Sequence, residues 1–264
     1  MRKFFKLVTM TIADLVHHKS FYVMLTLGVL FVLLLRGCYK QDYTVNGQQI
    51  NATTVAWHAS LIAFHIIAAA AMFIAILLSL GSLKRDRDDG SMVYILSGPI
   101  TRNQYVLARI AGQWAVAFIF MFILHATIVV ITAFNTGGVI PGYLTASLVC
   151  SLNILLMAVI ASLLSLVLPS FASSLLSVGI AAISFGSDSF FQVLHKTGLS
   201  QSFAHTSLWR ILWPKLSSLQ YFAVSLVDRS DFQGMGPLHP ILNVLLWIVV
   251  LGGILLWRFR QEDL

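Results

Sequence analysis

Residues 55–83, VAWHASLIAFHIIAAAAMFIAILLSLGSL, run for 29 positions without a charged side chain. A helix needs about 20 apolar residues to cross the hydrocarbon core of a bilayer. Within lipid no water is present to satisfy backbone groups, so such a run has to be helical. Comparable runs recur along the 264-residue chain, and only 10% of its residues are charged, where a soluble domain carries roughly 25%. The expected fold class is an all-α integral membrane protein built as a single transmembrane domain over 1–264, with no internal repeat and no low-complexity linker.

Six transmembrane helices are expected, at 21–35, 55–83, 105–133, 143–168, 171–186 and 241–257. Ahead of them, 1–19 reads as an interfacial helix: Phe5, Val8, Ile12, Leu15 and Val16 share one face, with Lys3, Lys6, Asp14 and His17 elsewhere. The alternative for this segment is a plain extension of the first span. Asn46-Gly47, between short β-favouring stretches, predicts a hairpin after that span. Pro169 ends the fourth span. The stretch 187–240 reads as an outer segment, and the aromatics of SLWRILWPKLSSLQYF favour interfacial or re-entrant helices over a free loop.

Charge gives the orientation. The net +7 sits at the ends of apolar runs, which points away from nucleic acid and toward membrane topology and anionic headgroups. With both termini inside, 11 of the 17 basic residues fall on the inner side and 6 on the outer, so N- and C-termini are expected in the cytoplasm. Cys38 and Cys150 lie in a loop and inside a span, so no disulfide framework is expected. The basic N-terminal stretch lacks a continuous apolar core and a cleavage site, so it does not read as a cleavable signal.

Several chemistries are missing. Glu262 is the one glutamate, so no His-Glu-x-x-His zinc motif exists, and no lysine follows a glycine, so no phosphate-cradling P-loop exists either. No carboxylate falls mid-span, which argues against an ion-coupled carrier. His58, His65 and His125 do lie within spans, the first two seven residues apart on one helical face. Together with Asn153 they are candidates for lining a substrate path. The histidines alone are candidates for a metal site, although simple hydrogen bonding to neighbouring helices is the preferred account of them. Ser173, Ser174 and Ser177 stand in a span rich in small residues, where close helix packing is the expected use, including packing between two copies.

The stretch LKRDRDDGSMVYILSGPITR, residues 83–102, interrupts two long spans. Span two is expected to continue as helix past Leu83 and to stop near Gly90. Met92, Ile95 and Leu96 then share one face of a very short helix. Gly98-Pro99 ends it, and Thr101 with Gln104 has capping-box spacing that opens the next helix. A loop that only reverses direction needs fewer residues. The pattern describes a stiff knob between two spans over 84–104, suited to a cleft in a soluble partner; the plain alternative is a solvated loop.

RDRDDGSMVYILSGPITRNQYVLAR resembles the corresponding element of ABC-2 type permeases, the membrane subunits of ATP-binding-cassette exporters. Asp89, Gly90, Pro99, Ile100, Thr101 and Arg102 occupy the family's acidic, glycine and Pro-Ile-Ser/Thr-Arg positions, the acidic one being more often glutamate. WPKLSSLQYF and the tail RFRQEDL are similar to the NosY-like branch. The resemblance implies a type V exporter-like transmembrane domain working as a homodimer with two copies of an ABC ATPase subunit in the bacterial cytoplasmic (inner) membrane. ATP and Mg would be bound on the ATPase, with no cofactor and no catalytic residue on this chain. The short helix near Ser91 to Ser97 would be the coupling helix, so Asp86, Asp88, Asp89, Gly90, Ser91, Tyr94, Pro99 and Arg102 become the ATPase-coupling candidates. An outer-side accessory protein is a further expected partner. Two other functions remain open at this point: a metal-handling protein or enzyme using His58, His65 and His125, and a membrane scaffold for a soluble complex.

Overall fold

The computed structural model describes residues 2–17, 19–35, 37, 43–45, 48–50, 52–80, 82–98, 100–136, 140–196, 213–228, 232 and 238–261. The helices among them are α1 (Arg2–His17), α2 (Lys19–Leu35), α3 (Ala52–Ser79), α4 (Ser82–Asp88), α5 (Ser91–Leu96), α6 (Arg102–Thr136), α7 (Tyr143–Val167), α8 (Ser170–Lys196), α9 (Leu216–Asp228) and α10 (Pro240–Arg260). One antiparallel hairpin joins β1 (Tyr43–Val45) to β2 (Gln48–Ile50), pairing Val45 with Gln48. That register leaves two residues for the turn, Asn46 and Gly47, which themselves lie outside the described residues.

Four helices are long and apolar enough to cross a membrane: Thr54–Ser79 in α3, Arg102–Asn135 in α6, Tyr143–Val167 as α7, and Pro240–Arg260 as α10. A fifth candidate forms if α1 and α2, which meet at a 70° bend, count as one broken span. In α8 the apolar part, Ser170–Gly186, is shorter. Multiple membrane-spanning helices are therefore present, four or five among the described residues where six are expected. The helix expected to run unbroken past Leu83 does not: α3 ends at Ser79 and α4 starts afresh at Ser82.

Packing centres on α7. Its most apolar stretch is 67% buried, against 22% for that of α10. Phe64, Ile67, Met121, Ile154 and Met157 from α3, α6 and α7 fill the core between them. Leu242, Leu246, Val249, Ile254 and Trp257 of α10 face outward, where lipid is as good a solvent for them as protein. With no hydrophobic drive between helices in lipid, close approach depends on small residues. Ser147 and Ser151 on α7, and Ser173 and Ser177 on α8, are buried. At Gly112 a Cβ would stand 2.6 Å from Thr11 Cγ2, so α1 rests against the α6 backbone there.

Local signals explain the helix starts. Thr101 and Gln104 form a reciprocal box in which Gln104 N donates to Thr101 Oγ1 and Thr101 N to Gln104 Oε1, each at 3.3 Å. Pro240 opens α10 behind His239, whose Nδ1 accepts from Ile241 N. Gly142 precedes α7 with φ +79, and a Cβ there would lie 2.4 Å from Leu226 O. That contact puts the end of α9 against the start of α7. At the other end of α9, Asn153 Nδ2 donates to Leu216 O at 2.8 Å. Helix α9 thus lies antiparallel along the first half of α7, with its N-terminal end at α7's midpoint.

Candidate functional site

The interruption between the two long spans folds as the sequence implies in outline. Gly90 separates α4 from α5 with φ +69, a left-handed value that a side chain resists. Ser91 Oγ donates back to Asp86 O at 3.0 Å, and Ser97 Oγ to Tyr94 O at 2.7 Å, so both ends of the six-residue α5 are closed. The apolar face is seated: Met92 is buried, and Ile95 and Leu96 pack on the core. Tyr94 points the other way and is 84% exposed. Asp88 and Asp89 are exposed beside it, and Pro99 lies outside the described residues.

Below the knob lies a buried ionic cluster. Asp86 is only 7% exposed. Arg109 Nη2 stands 2.5 Å from its Oδ2, and the Tyr105 hydroxyl donates to the same oxygen. Tyr105 and Arg109 are four apart on α6, hence on one face, and Arg109 Nε points at the Tyr105 hydroxyl at 3.5 Å. Arg109 also reaches Asp14 of α1, at 3.7 Å. A carboxylate out of water needs such partners, since an isolated buried charge is costly. The cluster joins α1, α4 and α6. Beside it a cleft of about 510 Å³ runs between α1 and α5, lined by Leu7, Met10, Asp14, Asp89, Ile95 and Arg109. At the same end α10 is tied in: Arg102 Nη1 donates to Arg260 O at 3.3 Å, and Arg260 Nε to Asn103 Oδ1 at 3.0 Å.

Sequence reasoning selected Asp86 but missed its partners Tyr105 and Arg109, and Asp14, which meets Arg109 from α1. One signal existed: an arginine two turns into an apolar span requires a counter-charge. Its partner is decided by how α1 and α4 fold over α6.

The other candidates separate. His58 is exposed, with Nδ1 against Thr54 O at 3.0 Å. His125 is fully buried, stacked on Phe64 at 4.5 Å, with Nδ1 at 2.9 Å from Ser147 Oγ. His65 lies beside Tyr221, and its backbone carbonyl accepts from Gln220 Nε2 at 3.2 Å. No three His, Cys, Asp or Glu side chains converge as a metal site among the described residues, so the three histidines do not form the centre that a metal-handling function requires. His65 and Asn153, both read as substrate-path candidates, do meet a common element, α9. Ser173 and Ser177 are buried in the protomer, bonded to carbonyls of their own helix, and so offer no surface to a second copy. Ser174 sits on the outer side of α8, near exposed Phe171 and Leu175.

A family model described as ABC-2 family transporter protein matches residues 10–264. The chain belongs to the ABC-2 transporter family. No curated protein matches it. As an ABC-2 protein with several membrane-spanning helices it is a multi-pass membrane protein of the permease type. Membership of this family implies an ABC ATPase as partner.

Proposed function

We propose that this ABC-2 permease is the non-catalytic membrane half of an exporter that carries a substrate across, or out of, the cytoplasmic membrane. The carrying observation is the α4–α5 knob: a short helix with Tyr94 outermost, anchored through Asp86 to α6 and α1. Here α5 is the coupling helix. It sits on the cytoplasmic side with both termini and enters a cleft of the ATPase, which holds the ATP and Mg. Closure of two ATPase copies pushes α5, and the Asp86–Tyr105–Arg109 cluster passes the push to α6 and α1 as one unit.

The type V arrangement asks for six spans and a second permease copy. Helices α2 and α8 supply the two further spans: α8 continues to Lys196, 27 residues and about 40 Å at 1.5 Å per residue. The exposed Phe171, Leu175 and Leu176 of α8 support a homodimer face in place of the buried Ser173 and Ser177. The NosY-like assignment rests on the aromatic WPKLSSLQYF segment and the RFRQEDL tail. An outer-side accessory protein would meet the end of the molecule opposite the knob.

Co-purification followed by ATPase assay tests the proposal. A chain with a P-loop should accompany the wild type, and substitution Gly90→Pro or charge reversal at Asp88 and Asp89 should abolish stimulation of its ATPase while membrane insertion is retained. If partner binding persists but no lipid or solute ever alters hydrolysis, the chain is a scaffold and the exporter reading fails.

A further inference from the structure

Helix α9 enters the bundle from the end opposite the knob and stops halfway. Asn153, which meets its first turn, is near the centre of α7, and His65, which meets Gln220, is at the centre of α3. The inner half of α9 is polar and yet buried: Ser217, Ser218 and Gln220 are each 1% exposed. Its first backbone N–H groups are satisfied, Leu216 N by Ser184 Oγ at 3.2 Å and Lys215 N by Asn243 Oδ1 at 2.9 Å.

The two amide side chains at this junction are oriented by their partners. Asn153 and Gln220 each donate to a backbone carbonyl, Leu216 O and His65 O, which fixes the nitrogen of each amide and leaves its oxygen facing elsewhere. Both oxygens, Asn153 Oδ1 and Gln220 Oε1, are buried without a hydrogen-bond partner, and so is Ser218 Oγ. The great majority of buried polar atoms are paired, so two orphans on α9 and a third on α7 against its first turn mark a place that another state completes. Both orphaned amide atoms are acceptors, so a group that pairs with them is a donor.

We infer that the inner half of α9 is a plug, and that Gln220 on its buried face and Asn153 on α7 form a subsite on the transport path for a hydrogen-bond-donating group, a hydroxyl or an ammonium. This deepens the exporter reading by naming a substrate chemistry, but it does not depend on how the knob engages an ATPase. When α9 loosens from α3 and α7, Asn153 Oδ1 and Gln220 Oε1 are uncovered to the donor of the passing molecule; when it seats again, they are covered.

Thiol labelling of the full complex in nanodiscs, which expose both faces, tests this. In a background with Cys38→Ser and Cys150→Ala, Gln220→Cys and the gentler Ser218→Cys should react with water-soluble methanethiosulfonates, while Ala117→Cys in the α6 core stays inert. At Gln220→Cys, where Asn153 Oδ1 remains as the acceptor, the aminoethyl reagent, whose primary ammonium donates hydrogen bonds, should react about tenfold faster than the trimethylammonium reagent, which has the same charge and no N–H, the scale of one hydrogen bond to a charged group. Adding Asn153→Leu should erase that preference. If both α9 cysteines are as inert as Ala117→Cys, with or without nucleotide, the plug is refuted; equal rates for the two reagents refute the subsite. Labelling as expected alongside an uncoupled ATPase would sustain the subsite and refute the coupling reading alone.

Discussion

At the scale of single residues, Asp86 and Gly90 carry different kinds of constraint. Asp86 is held by chemistry: Arg109 and the Tyr105 hydroxyl share one of its oxygens in a largely buried site. Arg109→Ala should leave that carboxylate buried with a hydroxyl as its remaining close partner and cost about 3–5 kcal/mol, the usual range for breaking a buried pair. Tyr105→Phe removes one hydrogen bond to a charged group, worth about 1.5–3 kcal/mol. Thermal unfolding of the purified protein should rank the two in that order, and equal melting temperatures for both variants and the wild type would dismiss the cluster as a structural anchor. Gly90 is held by backbone geometry. Nothing stands within 4 Å of a Cβ built there, so Gly90→Ala meets no clash and only the cost of φ +69, about 1–2 kcal/mol. Gly90→Pro forces φ to the opposite sign and should disrupt the knob much more. Comparing the two by ATPase stimulation grades the response by how far the turn geometry is disturbed, since neither variant acts by filling space.

Among the elements, α1 and α5 depend on α6 for their positions. Contact between α1 and α6 is so close at Gly112 that any side chain collides with Thr11. Gly112→Val should lift α1 away from α6, weaken the Arg109–Asp14 contact and cost about 1–3 kcal/mol through overpacking. Thr11→Gly combined with Gly112→Ala should restore much of the loss, readable as recovery of melting temperature. A Gly112→Val protein with wild-type stability would show that α1 is free to shift without consequence. Tyr94 makes the opposite case. At 84% exposure its side chain is little used by the described part of the protomer, so Tyr94→Ala should alter stability by less than about 0.5 kcal/mol. Any fall in partner binding measured for Tyr94→Ala then reports the interface and not the fold.

For the whole molecule, the division between what sequence and tertiary structure each decided follows the range of the interactions. Apolar runs in α3, α6, α7 and α10 were legible because membrane helices are specified by length and local composition alone. The Thr101–Gln104 box and the hairpin register were legible for the same reason, since their partners are three to seven residues apart. Short apolar segments were less so. A run such as 171–186 reads as a span in one dimension, whereas α8 extends to Lys196 with its apolar part ending at Gly186. The break between Ser79 and Ser82 also escaped notice, because a helical pattern on both sides gives little warning of a change in direction. Serines at 173 and 177 carried a packing signal but not its direction, and the fold turns them inward to the protomer.

By itself, then, the sequence determined that this is a helical membrane protein with a stiff interruption between two spans, because hydrophobic length, glycine and capping residues act on their own neighbourhood. Tertiary structure alone decided that Asp14, Asp86, Tyr105 and Arg109 form one cluster and that α9 brings Gln220 to His65 and Leu216 to Asn153. Those pairings span from 19 to 155 positions of chain. Their energies come from burying charge and polarity against specific partners, and no local pattern records which partner the packing will deliver.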